Sequence, residues 1–436
     1  MAKKRILILG AGISGLSAAW YLAKKYPDYE SVIIEKDLKA GGWMNSNLDG
    51  DFLLEKGPRV FKTSRNSDFL QVVQELDFSS SLIPSASDAN RRFLWLDGKF
   101  QKMPDGIFSL LFSSLCRPLL FSLFRERNVP SNHLDETIWD FASRRFGQTV
   151  AERFFDPLIL GIYAGDIKKL SIDSCLPILK KWEREKGSVI KGVFSSLKNK
   201  KQKSTFKAPL FSFKEGTSSF IQKWISKIPG SIQLGEEILS LKREKGVWQA
   251  RSLQNTWEGD AVVLALPSFV AAKLLKEEAP ETSKLLDMIS YEDITTLQMG
   301  WKGDVLPFSA FGYLVPTTEK EPVLGVLFDS KMFSKKDSLI TVMIRGVFHE
   351  EKELKDIAER IRSNHLKVAE KLDLFSYKKM ENAIPQYFLD HREKKNAILK
   401  SLKQEAQNLY LACNYLEGVS VNDCIKNAKN LTDILI

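Results

Sequence analysis

The sequence predicts an α/β protein with a Rossmann-like nucleotide-binding unit at its N-terminus, an inserted α+β part with its own sheet, and a helical part. Three observations carry this. Ile6-Leu7-Ile8-Leu9-Gly10-Ala11-Gly12-Ile13-Ser14-Gly15-Leu16 reads as a strand that turns into a helix through spaced glycines. Strand-like runs dominate from Ile294 to Val347, among them Leu297-Gln298-Met299-Gly300-Trp301 and Leu339-Ile340-Thr341-Val342-Met343-Ile344. Between these regions, Ile107 to Phe124 is nearly all apolar and a second helical pattern starts near Leu134.

The glycines occupy positions with distinct physical tasks. Gly10 takes the tight turn after the strand, Gly12 lets a pyrophosphate approach the backbone, and Gly15 lets the helix pack against the strand. Leu16, Ala19, Trp20 and Ala23 follow at helical spacing, so the helix N-terminus offers its unpaired N–H groups and positive dipole end to phosphates. A second strand, Val32-Ile33-Ile34, ends in Glu35, twenty residues after Gly15, where a carboxylate can hold a ribose 2′-hydroxyl and repel a phosphorylated ribose. Strand, glycines, helix, second strand and acid stand in the order a dinucleotide site needs.

At 436 residues the chain is long enough for two or three domains. A hydrophobic content of 44% and a charged content of 27% are those of a globular protein with sizeable cores. The formal net charge is +10 and the pI about 9.1, which suits nucleic acid, an anionic membrane or an acidic small molecule. No helix-turn-helix, zinc-finger or RNP-like pattern accompanies the charge, so no nucleic-acid partner is expected. Cys116, Cys175, Cys413 and Cys424 are scattered, as are His133, His349, His365 and His391. No metal site or disulfide framework is expected, and a reducing compartment suits the chain. The first strand begins after Arg5, so no leader is expected and the protein should stay where it is made.

Further along, Phe69, Leu70, Val72, Val73 and Leu76 fit a helix between Asn66 and Asp77. Asn90 to Phe100 reads as a hairpin turning at Asp97-Gly98, and Arg91 and Arg92 open its first strand. These arginines are either a solvated strand end or a binding pair. Arg117-Pro118 interrupts the apolar Ile107–Phe124 run, so it cannot span a bilayer and reads as two short helices joined at the proline. They pack over a channel or core, or lie on a bilayer with Arg125 and Arg127 at headgroup level. Phe155 to Asp166 is glycine-punctuated chain ending the helical region, and Lys180 to Lys207 is charge-rich and reads as a solvated loop. Phe213 to Thr217 then leads into a helix with Phe220, Ile221, Trp224 and Ile225, and Ala261 to Pro267 has the look of a buried parallel strand. Asn408 to Cys413 is a last strand, and Gly418 to Asn422 turns into a helix running to Ile436.

Lys39-Ala40-Gly41-Gly42-Trp43 and Leu54-Glu55-Lys56-Gly57-Pro58-Arg59 resemble the continuation found in the flavin-containing amine oxidase superfamily, which points to FAD as the dinucleotide. That superfamily usually has Arg after the Gly-Gly pair, so at Trp43 only the backbone role carries over. Asp156-Pro157-Leu158-Ile159-Leu160-Gly161-Ile162-Tyr163-Ala164-Gly165-Asp166 through Ser171 is similar to a run specific to the oxygen-dependent protoporphyrinogen oxidase family. Ala383-Ile384-Pro385-Gln386-Tyr387 resembles another of its segments, with Asp390-His391 where Gly-His is usual. Gly418 to Ile425 resembles its flavin-closing motif, from which Ser420 and Asn422 depart. The resemblance runs from Arg5 to about Ile436.

The resemblance implies a discontinuous FAD-binding domain (1–82, 208–285 and 390–436), a substrate-binding domain (83–104 and 286–389) and a helical, membrane-binding-like domain (105–207). It implies FAD contacts at Gly10, Gly12, Ser14, Gly15, Glu35 and Lys36, and at Gly42, Trp43, Gly57, Pro58 and Val421. The implied reaction removes six hydrogens from protoporphyrinogen IX, with oxygen as acceptor and hydrogen peroxide as product, and FAD carries the redox chemistry with no catalytic side chain. Arg92 falls where a substrate propionate is paired, Leu314, Leu327 and Met343 where the macrocycle is sandwiched, and Gly161 in the backbone over it. Arg91 and Arg59 are candidates for extra carboxylates. A cytoplasmic protein, peripheral on the inner face of the cell membrane and open to homodimer formation, completes the expectation. Coproporphyrinogen III oxidation is the alternative in the same class; an amine oxidase, a carotenoid desaturase or a non-catalytic flavoprotein are more distant ones.

Overall fold

The computed structural model describes residues 4–63, 67–87, 91–104, 117–198 and 209–434. Its centre is a five-stranded, wholly parallel sheet in the order Ser231–Leu234, Glu30–Glu35, Arg5–Leu9, Ala261–Leu264 and Leu409–Leu411. Ile6 to Leu9 and Val262 to Leu264 are buried because the sheet is covered on both faces, which is why these strands read as unbroken apolar runs. One face packs on helices Ile13–Lys25, Thr217–Ile225 and Val421–Leu431, the other on Ser268–Leu275 and His391–Glu405. From Arg5–Leu9 the chain goes first to one side and later to the other, so strand order reverses at the glycine turn, where open α/β sheets bind ligands.

A second sheet has seven strands, in the order Leu374–Pro385, Tyr291–Trp301, Ser338–Arg345, Val323–Leu327, Gly312–Leu314, Arg92–Leu96 and Lys99–Lys102. It is antiparallel apart from Gly312–Leu314 beside Arg92–Leu96. The hairpin turns at Asp97 and Gly98, both with positive φ (54° and 69°), the backbone that matches strand twist. One face buries Trp301, Tyr313 and Val342 against helix Glu351–Arg360, an element whose amphipathic pattern the sequence reading passed over. Ile294, Met343 and Leu314 sit toward the other face.

Two helical expectations are corrected. Asp156–Tyr163 is a helix, with Pro157 in its first turn and Ala164 (φ 52°) ending it; Gly161 lies within it. The charge-rich stretch forms helices Pro177–Lys186 and Val189–Lys198, and Lys180 and Glu183 are fully buried. They are buried because they are paired: Lys180 Nζ lies 2.9 Å from Glu183 and 2.6 Å from Glu136, and Arg145 lies 2.7 Å from Glu183 and 2.6 Å from Glu126. Helix Arg117–Glu126 carries Pro118 in its first turn, and the run from Ile107 to Cys116 lies outside the described residues, as does the basic run Asn199 to Lys203. No described helix is long and apolar enough to cross a membrane.

Glu183→Ala strands Lys180 and Arg145 without their shared anion, so it should destabilise the protein by about 3–5 kcal/mol, read as a lowered denaturation midpoint. Burial alone would raise the Glu183 pKa, but the hydrogen bonds from Lys180, Arg144 and Arg145 outweigh it and hold the carboxyl down to about 2. Its folded value lies below the unfolded one, so its contribution is complete above about pH 4.3 and falls away as the pH drops toward 2. Denaturation midpoints of wild type and Glu183→Ala should therefore converge across that acid window; a gap that stays constant would contradict the pairing.

Candidate functional site

At the end of the first strand the backbone is crowded on one side and open on the other. A Cβ on Gly10 would sit 2.5 Å from the Ala265 carbonyl oxygen, and one on Gly15 would sit 1.9 Å from the Gly10 carbonyl oxygen. A Cβ on Gly12 would meet nothing within 4 Å. Gly10, with φ 102°, and Gly15 are thus hemmed in by backbone, while Gly12 faces free space. Gly41 N–H donates to the Ala11 carbonyl at 2.8 Å, and Gly42 brings its backbone against Gly12, so a second loop walls the same space. Glu35 is buried and accepts from Ala11 N–H at 2.7 Å and Asp37 N–H at 3.0 Å, one bond to each oxygen, leaving lone pairs for a ribose hydroxyl. Lys36 is exposed beside it. The cradle fits a dinucleotide.

Helix Val421–Leu431 packs along Ile13–Lys25, and the Ser14 hydroxyl reaches the Cys424 thiol, which burial pushes up to about 11. The two departures from the family motif turn out to be caps. The Ser420 hydroxyl oxygen accepts from Asp423 N–H, and the Ser420 N–H donates to the Asp423 carboxylate in return, a capping box. Asn422 Oδ1 accepts from Phe69 N–H at 3.2 Å and from Ser67 Oγ, tying this helix to the start of Asp68–Glu75. The Val421 side chain is packed into the core, its N–H is one of the helix's first unpaired donors, and Val419 and Asn414 are the nearby residues that reach the open cavity.

That cavity, about 520 Å³, lies between the second sheet, helix Asp156–Tyr163 and the loop of Trp43, Gly57 and Pro58. It brings together all five residues expected at the substrate: Arg92, Gly161, Leu314, Leu327 and Met343. Leu314 is wedged between Gly161 and Gly325, where added Cβ atoms would come within 3.0 Å and 2.9 Å of its Cδ2. Arg92 is exposed at the rim with its guanidinium 5.2 Å from the Phe311 ring centre. Trp43, Gly57 and Pro58 line the cavity too, so the predicted cofactor loop and the predicted substrate slot share one wall. A Cβ on Gly57 would strike the Trp43 carbonyl at 2.2 Å, and Lys378 Nζ lies 4.8 Å from the Trp43 ring, a cation beside the position where the superfamily usually has Arg.

Arg59 requires a correction. It is buried, pairs with Asp329 at 3.1 Å, bonds Thr341 Oγ1 and donates to the Glu55 carbonyl at 3.0 Å, so it serves as a brace beneath Gly57 and Pro58 and has no fork free for a carboxylate. Lys62 was missed, although its signal was present: Val60 and Lys62 line the cavity while Phe61 between them packs into the nucleotide-side core. The floor is fixed by the motif around Gln386 and Tyr387. Gln386 Nε2 donates to the Tyr163 carbonyl at 2.8 Å and Tyr387 donates to the Asn414 carbonyl, which ties the helix over the cavity to the cofactor-side segment. His391 stacks on Tyr387 at 4.2 Å, and burial holds its imidazole down to about 4, so it is a neutral packing element. Among the described residues no cluster of His, Cys, Asp and Glu could hold a metal, and Cys175, Cys413 and Cys424 are free and buried.

Comparison with known proteins agrees with this geometry. A family profile described as flavin-containing amine oxidoreductase matches residues 13–433. The chain is 30% identical to the protoporphyrinogen oxidase of Bos taurus across 98% of its own length and 97% of the relative's. It is 28% identical to that of Dictyostelium discoideum across 99% of each. Among solved structures, one from Exiguobacterium sp. 255-15, provisionally assigned as a protoporphyrinogen oxidase, superposes with a TM-score of 0.86 at 19% identity over 100% of this chain and 99% of that one. A reduced UDP-galactopyranose mutase superposes with a TM-score of 0.75 at 16% identity over 100% and 94%; these likenesses speak to the fold. With the profile spanning nearly the whole chain and a relative 30% identical over 98% of it, this chain belongs to the flavin-containing amine oxidoreductase family.

Proposed function

We propose that the chain oxidises protoporphyrinogen IX to protoporphyrin IX, with FAD in the glycine cradle and molecular oxygen as acceptor, releasing hydrogen peroxide. The observation that carries this is the convergence of Arg92, Gly161, Leu314, Leu327 and Met343, from separate parts of the chain, on one apolar cavity that shares the Trp43–Gly57–Pro58 wall with the cradle. FAD, when bound, supplies hydride acceptance from the macrocycle and electron delivery to oxygen. The protein's part is binding and orientation. Leu314 and Met343 offer flat apolar contact, the helix through Gly161 closes over the slot, and Arg92 fixes one edge by its charge.

FAD is favoured because Gly12 leaves room for a diphosphate and Glu35 for a ribose. Gly12→Val should retain the wild-type circular dichroism while losing most bound flavin, since a Cβ there meets no protein atom within 4 Å and the side chain takes up the open space left for the diphosphate. Full flavin retention in that variant, or release of FMN from wild type, would contradict the assignment.

Arg92→Ala removes one partner of a charge-assisted contact, which costs about 1.5–3 kcal/mol. Oxygen-uptake kinetics with protoporphyrinogen IX should show kcat/KM lowered by roughly 10- to 100-fold, with flavin content unchanged. Arg92→Lys should recover only part, because an ammonium keeps the charge and loses the fork. Normal turnover by Arg92→Ala would sink the placement of the carboxylate at this rim.

In this reading the second sheet serves as the substrate domain, and the helices between 117 and 198 serve as a face for an anionic membrane, on the cytoplasmic side. Phe121 is 77% exposed and Phe194 57% exposed there. Co-sedimentation with anionic vesicles should be salt-sensitive and weakened by Phe121→Asp; equal sedimentation of variant and wild type would count against that face.

A further inference from the structure

The charges around the cavity are one-sided. Among the described residues its lining holds three basic side chains, Arg59, Lys62 and Arg92, and no acidic one. Arg59 is committed to Asp329 and Thr341, which leaves two. Neither the Lys62 ammonium nor the Arg92 guanidinium has an ion pair or hydrogen bond among the described residues, and both residues are exposed. They flank the same rim: Val60, two residues before Lys62 and on its side of the strand, packs in one apolar cluster with Phe311 and Leu327, and Arg92 lies over the Phe311 ring. The remaining walls, formed by Leu158, Ile162, Ile294, Met343, Met380 and Ile384, carry no cation.

We propose that Lys62 is a second carboxylate anchor that acts beside Arg92 and selects a porphyrinogen with two carboxylates on one edge over one with four around its circumference. This rests on the proposed porphyrinogen oxidation and narrows it. Protoporphyrinogen IX carries its propionates on two neighbouring pyrroles and only methyl and vinyl groups along the rest. Its charged edge meets the cationic rim, and its apolar edge meets the apolar walls. Coproporphyrinogen III carries a propionate on every pyrrole, so seating one edge on Lys62 and Arg92 drives the other carboxylates against walls that cannot pair them. A carboxylate desolvated without a partner is strongly disfavoured.

The test compares steady-state oxidation of the two porphyrinogens by the FAD-loaded full chain, as wild type, Lys62→Ala and Lys62→Arg. Wild type should favour protoporphyrinogen IX by more than about tenfold in kcat/KM. Lys62→Ala should raise KM for protoporphyrinogen IX about tenfold with kcat close to wild type, because the contact is made in ground and transition states alike. Lys62→Arg should restore most of the loss, and flavin content and melting temperature should be unchanged in both variants. An unchanged KM in Lys62→Ala, or coproporphyrinogen III used as well as protoporphyrinogen IX by wild type, overturns the selectivity proposal while leaving porphyrinogen oxidation standing. A wild type that oxidises neither overturns the underlying reading as well. Should Lys62→Ala fail to fold, Lys62→Gln keeps the stem and removes the charge, and the same KM criterion applies.

Discussion

Where the first strand ends, backbone passes backbone more closely than any side chain allows. Gly10 lies against Ala265, Gly15 against Gly10, and Gly41 bonds Ala11. This close approach brings together three segments far apart in sequence, and the rest of the architecture follows from it. It sets the spacing of Arg5–Leu9 and Ala261–Leu264, aims the N-terminus of Ile13–Lys25 at the cradle, and holds the Gly41-Gly42 loop as its second wall. From that loop the chain runs to Gly57 and Pro58, which line the cavity, so the glycine cradle and the cavity are adjacent by construction.

The joint between the two sheets is polar and buried, and it is rigid for that reason. Arg59 is clamped by Asp329, Thr341 and the Glu55 carbonyl, while Glu55 accepts from the Thr217 N–H and hydroxyl. Burial raises the Glu55 pKa, opposed by those Thr217 bonds and by Arg59. Such a network is stable only when every member is satisfied, and losing one partner leaves a buried charge unpaired. On the far side Gln386, Tyr387 and Asn414 make the corresponding tie. The cavity is thus held from both ends by buried polar ties.

Much of this was legible because local chemistry decides it. The glycine turn, the Asp97-Gly98 hairpin and the strands Ala261–Leu264 and Leu409–Leu411 depend on residues within a few positions of one another. What escaped depends on distant partners. Lys180 and Glu183 read as solvated charges because the residues that bury them, Glu126, Glu136 and Arg145, lie in other helices. Arg59 read as a candidate for extra carboxylates because its anion stands 270 residues away, whereas Lys62, two positions beyond Val60, lines the cavity without such a partner among the described residues. Ser420 and Asn422 looked like a weakened motif, yet Ser420 caps its own helix and Asn422 ties that helix to the start of Asp68–Glu75.

In the proposed function, cradle and cavity form one site in which a porphyrinogen meets a flavin. Anaerobic titration of the purified flavoprotein with protoporphyrinogen IX, followed by flavin absorbance, tests it most directly. Six hydrogens leave the macrocycle in two-electron steps, so the flavin should bleach fully at about one third of an equivalent and porphyrin should appear in step with it. A flavin that stays oxidised in excess porphyrinogen would contradict the account.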